Sequence, residues 1–326
     1  MNKEELLQEL EKGINAGEIS REELISRLSL TPSAGREISA TPKDSTHFST
    51  TKMLYVLGAA IVVIGIIIFV YQVWDDLGSL GRISVTLGLG LLFTVIGSVL
   101  LKSKPENQTI GSVFHAIGGL LVPGGAVVAL SELNVDMVSV WPIAITFGAI
   151  FVFYLLLNFA HRSSVLTFFA IANGTAFIYL LVEAMIDGPF YRHEDLYAYL
   201  TMVVGASYLL LAHAFRGGWN NKLVGILYFF GSAGFLGAAF SRVFDSVPWQ
   251  MVYFLLVIGG LFLSAYTKSR AILVVSTCFL LAHVSYITGE YFADSVGWPV
   301  ALVILGFIFI GLGYVSININ KKYIAK

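Results

Sequence analysis

Ten apolar runs of about twenty residues each take up most of this chain, at roughly 53–74, 83–101, 109–131, 139–159, 164–186, 196–215, 222–242, 249–267, 270–291 and 298–318. A helix rises about 1.5 Å per residue, so each run matches a hydrocarbon core of ~30 Å. No backbone N–H or C=O can go unpaired in lipid, so a run that crosses has to be helical. The expected fold is therefore all-α: a polytopic membrane helix bundle of about ten transmembrane helices with a small N-terminal cytoplasmic helical hairpin. Composition agrees. Of 326 residues, 13% are charged and 56% hydrophobic, where soluble domains carry about 25% charged residues.

The first 52 residues are polar, with no apolar segment of the signal-peptide kind, so the first spanning helix is expected to direct membrane insertion. Residues 1–29 read as a helical hairpin module. Leu6, Leu7 and Leu10 line one helix, Gly13 and Gly17 flank a turn, and Ser20 with Glu23 forms a capping-box pattern ahead of Leu24, Ile25 and Leu28. Such a pair is too small to hold a core alone, which points to a cytoplasmic protein partner or to self-association. Residues 30–52, rich in Ser, Thr and Pro, read as a flexible linker. Residues 53–318 form the transmembrane domain and 319–326 a cytoplasmic tail.

Cationic residues set orientation, because they are retained on the side of synthesis. With the N-terminus inside, seventeen of the twenty Lys and Arg residues fall on the cytoplasmic side, leaving Arg82, Arg192 and Arg242 outside. Trp74, Trp141, Trp249 and Trp298 collect at the outer edge, as an interfacial belt requires. The expected location is the inner membrane, with both termini cytoplasmic. The inner basic residues are accounted for by topology, so no nucleic-acid binding is expected.

The stretch LLQELEKGINAGEISREELISRL, followed by LGAAIVVIGIIIFVYQVWDD, resembles uncharacterised bacterial predicted membrane proteins that join a short helical module to a many-helix membrane domain. The core Gly17, Ile19, Ser20, Glu22, Glu23 carries the likeness. The resemblance implies an integral membrane protein and transfers no catalytic residue.

Function would show at polar residues inside lipid, where they are costly. In the third run Gly111, His115, Gly118, Val122 and Gly125 share a face, and Pro123 could break the helix near mid-membrane. In the fifth, Asn173 lies near the midplane with Glu183 and Asp187 toward the outside. In the ninth, His283, Tyr286 and Glu290 align. His115, Asn173, His283 and Tyr286 form a candidate intramembrane polar site, and Glu183, Asp187 and Glu290 a candidate outer vestibule. Against each stands an ordinary packing role. In the seventh run, Ala233, Gly237 and Ser241, with Gly234 and Ala238 beside them, suggest a close helix contact. Cys278, the one cysteine, reads as a small buried packing residue. His161 reads as a solvated loop residue.

No phosphate-binding loop, zinc motif or nucleophile elbow occurs. No enzymatic activity, cofactor or metal is expected. Two functions compete. One is a secondary transporter of a small solute or cation, built as two inverted five-helix halves. The other is a membrane scaffold, sensor or assembly factor acting through residues 1–29. The spacing of the runs also allows a degenerate hairpin repeat.

Overall fold

A computed structural model describes residues 50–102, 108–186, 193–292 and 298–319, together with Lys322. The predicted N-terminal module, most of the linker, Asp187 and all of the tail but Lys322 lie outside the described residues. The described chain is all-α, with ten long helices: α1 (Thr50–Val73), α2 (Ser79–Lys102), α3 (Gln108–Glu132), α4 (Trp141–His161), α5 (Ser164–Met185), α6 (Glu194–Ala214), α7 (Val224–Ser241), α8 (Val247–Thr267), α9 (Arg270–Phe292) and α10 (Trp298–Ile319). Among the described residues, eight helices, α2 to α9, are long and apolar enough to cross a membrane. Their outer faces carry Leu156, Val203, Leu210 and Phe262, each more than 60% exposed. An apolar surface of that extent calls for a lipid solvent.

The helices pair as hairpins, with a phase that regular spacing alone does not reveal. α2 packs on α3, α4 on α5, α6 on α7 and α8 on α9. The turns within these pairs carry the basic residues, so each tight hairpin turns at what we call the basic end. α3 also contacts α4 and α5, and α7 likewise contacts α8 and α9. The same packing order therefore occurs twice, in a first unit of α2–α5 and a second of α6–α9. Each unit has an even number of helices, so the two run in parallel orientation. Five-helix halves would add α1 to the first unit and α10, which packs on α9, to the second.

Corresponding residues support the repetition. Pro142 and Pro248, each in a first helical turn, are 106 residues apart. So are Arg162 and Lys268, which end α4 and α8 in the left-handed conformation (φ 48° and 50°). This conformation is unusual for residues with a side chain. It reverses the chain within a two-residue turn. Beyond the turns, Ser163, Leu166, Phe169, Ala170 and Gly174 are buried, and so are Ser269, Ile272, Val275, Ser276 and Leu280. Each pair again differs by 106. The α6–α7 turn uses Gly217 for the same left-handed step (φ 72°).

Close approach in the hairpins depends on small residues. A Cβ on Gly97 would lie 2.8 Å from His115 Cδ2 and 2.9 Å from the Gly111 carbonyl. A Cβ on Gly125 would meet the backbone of Leu87, within a π-helical segment of α2 (Ser84–Gly88). In the second unit, a Cβ on Gly205 would lie 2.6 Å from Phe235 N and 2.8 Å from the Gly231 carbonyl. The predicted glycine face of α3 is thus the face that seats α2. Pro123 lies inside an uninterrupted α3 and does not break it. The predicted row on α7 is displaced. Gly231 makes the contact, whereas Gly234 has its nearest neighbours at 3.9 Å. Cys278 is exposed on α9, not buried.

Hydroxyls join the units. Tyr179 Oη and Thr201 Oγ1 are 2.7 Å apart, and Thr175 Oγ1 and Tyr208 Oη 2.6 Å. Nearer the basic end, Thr167 donates to Asn220 Oδ1 (3.0 Å) and Ser164 to the Trp219 carbonyl (3.0 Å). At the opposite end an ion pair clamps the first hairpin of each unit. Arg82 meets Glu132 at 2.9 Å and lies over the Trp74 ring. In the second unit Arg242 pairs with Asp195 and with Asp245. The polarity is exchanged: the cation is on the first helix in one unit and at the end of the second in the other.

Candidate functional site

α8 enters from the end opposite the basic turns and α9 returns to it, so their distal halves face each other. Val247, Met251, Phe254 and Leu255 on α8 and Val284 and Ile287 on α9 line a groove of ≈ 860 Å³ between them. Its polar lining is sparse. Tyr291 Oη donates to Gln250 Oε1 (2.9 Å) near the mouth, Thr288 bonds back to the Val284 carbonyl, and His283 closes the deep end. A groove of this size accommodates a ligand that is mostly apolar with a few polar atoms.

His283 is 4% exposed, and its ring packs edge-on against Tyr253 at 5.0 Å. Its Nδ1 is buried without a hydrogen-bond partner. Buried polar atoms are nearly always paired; this nitrogen is an exception, enclosed behind the groove wall and not open to the groove itself.

The other predicted residues are placed separately. Asn173 is buried, and its Nδ2 donates to the Phe169 carbonyl of its own helix at 2.8 Å. Among the described residues, no hydrogen bond joins it to a neighbouring helix or to either histidine. His115 is fully buried between α2 and α3, with Nε2 3.0 Å from Ser98 Oγ. His115, Asn173 and His283 share no partner, and the groove is lined by His283 alone of the three. Tyr286 packs edge-on against Phe244 at 4.7 Å. Glu183 is half-buried beside Tyr197, and Glu290 is exposed.

Two features were missed from the sequence. The groove is lined by residues such as Val247, Leu255 and Val284, whose character is that of any membrane helix, so nothing in the sequence marks them. His161 is the last residue of α4 and is half-buried, its ring 6.0 Å from that of His115. Its position 46 residues along the chain gives no hint of that approach.

Comparison with known proteins gives a partial match. Residues 21–160 fit the model of a family described as Predicted membrane protein (DUF2157). That family has no assigned function. The matched stretch runs through α2 and α3 almost to the end of α4 and includes none of the second unit. No curated protein and no solved structure matches the chain. Among the described residues, no group of three or more His, Cys, Asp or Glu side chains could hold a metal ion.

Proposed function

We propose that this membrane protein binds an amphipathic, lipid-like molecule in the groove between α8 and α9. With the basic end in the cytoplasm, the groove opens into the outer leaflet, where an apolar chain could enter sideways from the bilayer. Gln250, Thr288 and Tyr291 would meet polar atoms near the headgroup level. His283 would meet a polar atom or unsaturated group carried deeper. The observation that carries this reading is an apolar groove of ≈ 860 Å³ whose few polar lining side chains are Gln250, Thr288, Tyr291 and His283.

On this reading the chain carries or presents a lipid. A carrier of a small hydrophilic solute would need polar groups converging near the midplane. The separate surroundings of His115, Asn173 and His283 do not supply them.

The test uses the full chain in lipid nanodiscs and a diazirine-bearing fatty acid. Crosslinks are expected to concentrate on residues 247–255 and 283–291. Leu255→Trp, which fills the groove from its wall, should cut that labelling at least about tenfold, equivalent to ~1.4 kcal/mol of binding. Labelling spread evenly over exposed residues such as Phe159 and Leu210, and unchanged in Leu255→Trp, overturns the reading.

A further inference from the structure

His115 carries a second unpaired nitrogen in a setting unlike that of His283. Ser98 Oγ donates its one hydrogen to the Thr94 carbonyl at 2.9 Å. While it does so it accepts from His115, with Nε2 carrying the ring hydrogen and Nδ1 bare. That Nδ1 is buried without a partner, and so is Asn158 Oδ1 on α4. Asn158 lies four residues after Tyr154 and three before His161, on one face of α4. Tyr154 Oη donates to the Gly118 carbonyl, one turn along α3 from His115, and His161 approaches the His115 ring itself. Asn158 thus lies on the face of α4 that meets α3, and no hydrogen bond joins its Oδ1 to His115 Nδ1.

We propose that His115 is a buried proton-binding site, loaded from the basic end through His161. In the loading step an N–H bond of the His161 imidazolium breaks and the His115 Nδ1–H bond forms. His161 is left neutral and takes its next proton from water at the basic end. A ring separation of 6.0 Å is within reach of transfer through one water.

The groups facing His115 limit the load to one proton. α2 presents Lys102 near His161, along with Ser98 and Thr94. α4 presents His161, Asn158 and Tyr154, with Arg162 at the turn. α5 presents the Phe169 ring against Gly119. Protons on both imidazoles would set two like charges at a ring separation of 6.0 Å.

The second unit supplies an internal comparison. Tyr228 follows His115 by 113 residues and is likewise buried on the second helix of its hairpin, and Thr267 follows His161 by 106. Between them Arg216 lies 5.3 Å over the Tyr228 ring and donates to the Thr267 carbonyl. The second unit therefore holds a guanidinium between its second and third helices. The first unit has two imidazoles between the corresponding helices, with Lys102 near His161.

The test is ring-nitrogen NMR of the full chain, labelled with ¹⁵N-histidine and held in nanodiscs, from about pH 8 to about pH 4. His115 is assigned by loss of its signals in His115→Gln or, should that variant not fold, by elimination using single substitutions of the other five histidines. Its Nδ1 should pass from bare to protonated within this range. His161→Gln should slow its exchange at least about tenfold. A His115 that keeps a bare Nδ1 throughout, in protein that remains helical, overturns the proposal. Exchange at an unchanged rate in His161→Gln overturns it equally.

Discussion

The two four-helix units solve the same packing problem with different chemistry. In the first, α2 and α3 meet along Gly90, Gly97, Gly111, Gly118 and Gly125, and the hairpin encloses His115. In the second, α6 and α7 meet chiefly at Gly205 and Gly231, and a guanidinium stacks on Tyr228. The first unit therefore has a long glycine seam around a titratable ring, and the second a single close crossing with a fixed charge. Helix association in lipid gains little from hydrophobicity, since lipid tails are as apolar as leucine. Backbone proximity and polar contacts have to supply it. Either arrangement satisfies that demand, which lets the enclosed polar groups diverge.

The sharpest way to break the comparison is at the crossings. Gly205→Leu drives a side chain into the Phe235 and Gly231 backbone, and Gly97→Leu drives one into the Gly111 backbone and the His115 ring. Each should cost about 3 kcal/mol or more and leave the chain protease-sensitive at the affected hairpin. Gly259→Leu, with nothing within 4 Å of its Cβ, should be close to silent in the same limited-proteolysis assay. If Gly205→Leu is as stable as Gly259→Leu, the second unit is not held at this crossing.

The exchanged ion pairs give the next largest effect. Both side chains of the Arg82–Glu132 pair are at least three-quarters buried, whereas Asp195 is 69% exposed. Arg82→Ala should cost about 2 kcal/mol in thermal or denaturant unfolding. Asp195→Ala should cost under about 1 kcal/mol, because solvent screens that pair and Asp245 still holds Arg242. The double exchange Arg82→Glu with Glu132→Arg copies the polarity of the second unit, and should recover at least half of the Arg82→Ala loss. No recovery would mean that the bond from Arg82 Nε to the Trp74 carbonyl, and not the ion pair, is the contact that matters.

The smallest effect belongs to the seam between the units. Tyr208→Phe removes one hydroxyl contact with Thr175. It should cost about 0.6 kcal/mol, near the mean for such bonds between membrane helices. A larger loss, seen as separation of the units in a crosslinking assay, would show that hydroxyls hold them together more firmly than packing does.

How much of this was legible beforehand varies by feature. The eight central spans follow from apolar length, and the starts at Trp141, Val247 and Arg270 fall within two residues of the expected runs. The α3 glycine face was readable because its period is local: residues three and four apart share a helix face whatever surrounds them. The α7 row failed because several small-residue rows fit that helix, and its neighbours decide which one is used. Cys278 was misplaced for the same reason, since an apolar helix shows no hydropathy contrast between a face toward lipid and a face toward protein. His161 looked like a loop residue because it sits beside Arg162 at the end of an apolar run. Its approach to His115 comes from the packing of α4 against α3.

The sequence by itself determined which segments are helical and suited to lipid, and which ends carry the positive charge. Both depend on free energies of transfer that act residue by residue. Tertiary structure alone decided which helices pair, which glycines touch, and that His115 meets His161 while His283 closes a separate groove. Those outcomes depend on shape and backbone approach between segments that are equally apolar, and in lipid transfer energy does not distinguish one such partner from another.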